Sequence, residues 1–110
     1  MKIINTNSPV NAEQLKTYLH NQLSPLFKMR RQADIEFIYT ATQNAVEISQ
    51  PDIYEGFLFR IDVVNENELH ITKSEHYVDD VNLLTIESIM NDIFTDYPGR
   101  DQIDYTSGKP

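Results

Sequence analysis

The stretch Tyr54–Thr72 reads YEGFLFRIDVVNENELHIT and decides the fold. Phe57, Phe59, Ile61 and Val63 recur at every second position, with Leu58, Arg60, Asp62 and Val64 on the other parity. A period of two, carried by aromatic and β-branched residues, specifies a strand. One face, that of Phe57, Phe59, Ile61 and Val63, is expected to be buried beneath helices. Asn65–Glu68 (NENE) interrupts the alternation, and Leu69 and Ile71 resume it. Asn residues tolerate unusual torsions and bond to their own backbone, so a tight turn is expected there. The stretch therefore predicts a hairpin at the centre of a small sheet.

Upstream, Ala33–Thr40 alternates through Ile35, Phe37 and Tyr39, and Val46 and Ile48 alternate after Thr42-Gln43-Asn44. These two segments predict a second antiparallel hairpin. Its loop holds no Asn-Gly or Asp-Gly pair, so the turn type stays open. Pro51 and Gly56 bracket the link to the central hairpin, with Gly56 at a bulge or just ahead of the strand. Lys2–Asn5 either adds a short strand or lies loose.

Two helical stripes flank the strands. Asn11 is placed to cap a helix, with Gln14 three residues on and a Val10–Leu15 staple. Leu15, Tyr18, Leu19 and Leu23 share one face, predicting a helix over 12–23, after which Pro25 either ends it or begins a new turn. Leu26–Arg31 (LFKMRR) reads as a short helical extension or as an irregular link burying Phe27 and Met29. Near the other end, Leu83, Ile86, Met90 and Ile93 share a face, supported by Ile89 and Phe94. That helix is expected to begin near Asp79 or Asp80, or alternatively at Thr85 with Val81–Leu84 as an extended lead-in, and to end in Asp96-Tyr97-Pro98-Gly99. The resulting expectation is a two-layer α+β domain over 1–99, in the order α-β-β-β-β-α. Two helices flank a four-stranded, mainly antiparallel sheet. Residues 100–110 have no sustained apolar period and are expected to form a flexible tail, with Ile103 and Tyr105 as its possible attachments.

Composition narrows the chemistry. The chain has 110 residues, no cysteine and a net charge of -8. Residues 51–110 carry thirteen acids against four bases, whereas residues 1–50 are nearly balanced. Such a field repels nucleic-acid phosphates and attracts basic proteins. The absence of cysteine removes disulfide, thiolate-metal and thiol-nucleophile chemistry and fits a reducing compartment, so a cytoplasmic setting is expected. The N-terminus does not read as a signal peptide, and no apolar run is long enough to span a membrane.

Catalytic patterns are missing from the sequence. The serines stand in no GxSxG context, and Gly56, Gly99 and Gly108 are too scattered to cradle a phosphate. Pro51-Asp52 resembles the opening of the PD-(D/E)xK nuclease motif. That resemblance covers two residues, and the second acid with its lysine does not follow. His70, His76 and Asp79 have ligand chemistry but no defined metal spacing, and Asp79 or Asp80 equally suits a helix cap. No catalytic residue, metal or cofactor is assigned. The sequence points to a non-enzymatic interaction protein, such as an inhibitor or immunity-like factor binding a basic protein. Asp79, Asp80, Glu87, Asp92 and Asp96 are its candidate binding residues. With no Lys or Arg between Lys73 and Arg100, these acids are expected to be exposed, mutually repulsive and relieved by salt. The alternatives are self-association as a structural subunit, as in a phage or secretion assembly, and a small metal-dependent enzyme.

Overall fold

The computed structural model describes residues 2–6, 9–95 and 103–105. Its elements are β1 (Lys2–Thr6), α1 (Ala12–Arg31), β2 (Ile38–Ala41), β3 (Ala45–Ser49), β4 (Phe57–Val64), β5 (Glu68–Lys73), α2 (Val81–Thr95) and β6 (Ile103–Tyr105). The strands form one sheet in the order β2-β3-β4-β5-β1-β6, with every pairing antiparallel. The α+β class and both hairpins are as the sequence indicates. The four-strand count and the α-β-β-β-β-α order are not. Lys2–Thr6 pairs with β5, and Ile103–Tyr105 adds to the outer edge of β1. The remainder of 96–110, including the expected helix stop and most of the expected tail, lies outside the described residues.

One sheet face carries the core. Cross-strand neighbours Ile4–Leu69, Ile71–Ile61–Val46 and Phe59–Ile48–Tyr39 line it. Leu15, Leu19, Leu23, Phe27, Leu83, Ile86, Met90 and Phe94 meet it from the two helices. Each of these side chains is nearly or fully withdrawn from water, the main favourable contribution to folding. The helices run antiparallel: Tyr18 donates to the Ile93 carbonyl at one end, and Arg31 donates to Asn82 at the other. Among the described residues the opposite sheet face has no helix over it, and it is polar. There Arg60 bonds both Glu47 (2.6 Å) and Asp62 (3.1 Å), and His70 meets Glu68 at 2.8 Å.

Helix α1 starts as expected, with Asn11 Oδ1 accepting from the Gln14 amide at 2.8 Å. It does not stop at Pro25. The helix continues to Arg31 and ends on Gln32 in the left-handed region (φ 51°). An interior proline costs about 3 kcal/mol. Pro25 is exposed, so the Asn21 carbonyl it leaves without a partner can bond water. Continuing the helix fully buries Phe27, which meets Phe37 edge-to-face at 4.7 Å. Burying such a side chain contributes roughly 1.5–3 kcal/mol, and Lys28, Arg30 and Arg31 complement the C-terminal dipole. The helical extension is thus the alternative realised over Leu26–Arg31, and Met29, which an irregular link would bury, is exposed.

The central strand also departs from strict alternation. Ile48 faces Phe59 but Ser49 faces Phe57, so β4 holds one extra residue, Leu58. This bulge turns both Leu58 and Phe59 into the core and moves Phe57 to the half-exposed face. The Phe59 and Ile61 register is as expected, whereas Phe57 and Leu58 exchange places and Val63 is only half-buried. Gly56 precedes the strand with φ 70°, a conformation that favours glycine. The alternation from Ala33 also holds, but only Ile38–Ala41 finds a ladder. Beyond it, the Gln50 side chain replaces a strand by donating to the Glu36 carbonyl.

Candidate functional site

Three of the expected acidic residues, Asp80, Glu87 and Asp92, are engaged by partners within the fold. Asp80 caps α2: its Oδ1 accepts from the amides of Asn82 (2.8 Å) and Leu83 (3.3 Å). It also accepts from the Tyr54 hydroxyl at 2.9 Å. Glu87 pairs with Lys73 of β5 at 3.1 Å, and Asp92 pairs with Arg30 of α1 at 2.6 Å. Thus tertiary structure supplies the bases that are distant in sequence. The repulsion expected between Glu87 and Asp92 is countered by attractive pairs, which salt screens rather than strengthens. Asp79 is exposed, and Asp96 lies outside the described residues.

The structure instead couples the 50–56 and 74–80 loops at one end of the sheet. Tyr54 and Tyr77 meet at 4.9 Å with their rings 69° apart. The Tyr77 hydroxyl accepts from the Glu55 amide at 3.0 Å, while Asn82 Nδ2 donates to the Tyr54 hydroxyl at 3.0 Å. Burial raises the pKa of the Tyr54 hydroxyl; the Asn82 bond opposes that shift, and the Asp80 bond adds to it. Buried Ser74 fixes the second loop, donating its amide to the Leu58 carbonyl and accepting from the His76 amide. A surface held by this many bonds loses little freedom when a partner docks.

That surface combines charge with apolar area. Asp52, Glu55, Glu75 and Asp79 are exposed and make no ion pair among the described residues. Ile53, Val78 and Val81 are 52%, 48% and 51% exposed, with Leu84 one turn further along α2. These are four of the six large apolar side chains exposed among the described residues. A cleft of about 340 Å³ is lined by Phe57, Glu55, Glu75, His76 and Lys73, and the Lys73 ammonium is drawn to Glu87 at 3.1 Å. A long cationic side chain suits such a lining, its aliphatic stem over the ring and its head among carboxylates.

Of the expected binding residues that are described, Asp79 alone belongs to this exposed set, and Asp80 holds the loops together. Sequence reasoning missed Asp52, Ile53, Glu55, Glu75 and Val78. The available signal was the recurrence of an acid–apolar–aromatic mixture on both sides of the central hairpin. His70, His76 and Asp79 do not gather: His70 lies on the polar sheet face, and no group of three or more possible metal ligands occurs among the described residues. Among those residues, no helix is long and apolar enough to cross a membrane. Comparison with known proteins returns no match among family models, curated proteins or solved structures.

Proposed function

We propose that this chain is a non-catalytic binding protein that captures a basic partner protein, in the manner of an inhibitor or immunity-like factor. The carrying observation is the cleft between the coupled loops, where Phe57, Glu55 and Glu75 share the lining with a Lys73 already paired to Glu87. A lysine or arginine of the partner enters it, and apolar partner residues cover Ile53, Val78 and Val81. Asp52 and Asp79 enlarge the negative field that steers the encounter. The same field disfavours nucleic acid. The lack of cysteine fits action in a reducing setting such as the cytoplasm.

The test begins with affinity purification at about 50 mM and about 500 mM salt, since screening grows steeply across that range. The identified partner is then titrated against wild type and against Glu55→Lys/Glu75→Lys. Reversing both carboxylates is expected to weaken binding by at least about tenfold, with an unchanged melt. A salt-insensitive partner whose affinity survives both reversals refutes the reading.

A further inference from the structure

We propose that two copies of this chain pair through the outer edge of β2, antiparallel about a two-fold axis at Thr40. The phase of the β2–β3 ladder carries the argument. The Thr42 amide donates to the Ala45 carbonyl at 2.8 Å, and Thr40 faces Glu47 and Ile38 faces Ser49 in the same register. Hydrogen-bonded and non-hydrogen-bonded positions alternate along an antiparallel pair. Residues 38, 40 and 42 therefore bond inward to β3, while Tyr39 and Ala41 direct their amides and carbonyls away from the sheet. β2 is the first strand in the sheet order, so no strand lies on that side among the described residues.

Apart from its four-residue length, the edge lacks the usual guards. Phe37–Val46 contains no charged residue and no proline, although the chain carries net charge -8. A neutral strip is where two acidic copies approach with least repulsion. A two-fold axis at Thr40 places Tyr39 opposite Ala41 of the second copy, so the outward groups of both strands meet in register. The large Tyr39 side chain then faces a small one, exposed Thr40 faces its own counterpart, and half-exposed Ile38 faces Thr42. The arrangement is closed, so it stops at a dimer instead of growing into a filament. It rests on the strand edge alone and stands apart from the acidic loop surface.

The test uses the full chain. Sedimentation equilibrium over about 10–500 μM is expected to show a mass rising from 12.8 kDa toward twice that value. Amide hydrogen exchange reads the geometry directly: Tyr39 and Ala41 become protected as concentration rises. Thr40→Lys sets like charges face to face across the axis and is expected to weaken the dimer at least tenfold without changing the melt. Ala41→Pro removes an outward amide only and acts the same way; should it fail to fold, Thr40→Lys decides. Asp79→Lys leaves the dimer intact, which separates this pairing from partner capture. A monomer at every concentration overturns the proposal. So does a dimer unaffected by Thr40→Lys, or one that leaves the Tyr39 and Ala41 amides unprotected, including one that pairs elsewhere.

Discussion

Tyr39 makes the stability of this protein sensitive to alkali in a calculable way. Its side chain is 7% exposed, and its hydroxyl lies 2.8 Å from Ser24 Oγ. Burial pushes its pKa from 10.0 up to about 12; the Ser24 bond works against this, and the nearby Glu36 carboxylate adds to it. The folded value lies above the unfolded one, so the folded state holds the proton more tightly. The resulting stability is complete below pH 10 and is lost as pH rises toward 12. A separation of two units corresponds to about 2.7 kcal/mol in full, of which about 1.4 kcal/mol is gone by pH 11. Tyr39→Phe combined with Ser24→Ala removes both hydroxyls, so neither is left buried without a partner. Urea unfolding of wild type and this double variant at pH 8, 10 and 11 reads the difference. Whatever their offset at pH 8, wild type should lose about 1.4 kcal/mol more than the variant by pH 11. A difference that stays constant across the series would show that Tyr39 ionises as readily folded as unfolded.

Three further outcomes follow from the fold. Pro25→Ala should stabilise by about 2–2.5 kcal/mol, the helix gain of about 3 less the flexibility returned to the unfolded chain; a lower melting temperature refutes the reading of Pro25 as a tolerated interior residue. Glu66, with φ 65° at the β4–β5 turn, should gain about 0.5–1 kcal/mol on change to Gly, measured by denaturant midpoint. Phe59→Ala should cost about 3–5 kcal/mol because the ring is 1% exposed; a loss below 1 kcal/mol by the same measurement would place the ring outside the packed core.

Local signals were legible where one interaction dominates a short segment. The Asn11 cap, the Leu15–Leu23 stripe, the alternation of the central hairpin and the apolar face of α2 are each set by neighbours within a few residues. At Pro25 the local penalty is real, but burial of Phe27 and the cations at the helix C-terminus together offset it. Leu58 misled because periodicity assumes an unbroken ladder, while a bulge depends on the partner strand. The Lys2–Thr6 strand was legible only as an alternative, since so short a pattern has meaning only beside β5.

The acidic site shows the same division. Composition by itself determined that the C-terminal half is negative and that thiol chemistry is absent. Only the tertiary structure decided which carboxylates remain available. Arg30 lies 62 residues before Asp92 in the chain, yet the antiparallel packing of α1 and α2 brings their charges to 2.6 Å. The Tyr54–Tyr77 contact likewise joins two loops separated by the entire central hairpin, and so gathers acids that are scattered in sequence. Periodicity is fixed by bonds along the chain, whereas charge neutralisation depends on distances through space, which exist only once the chain has folded.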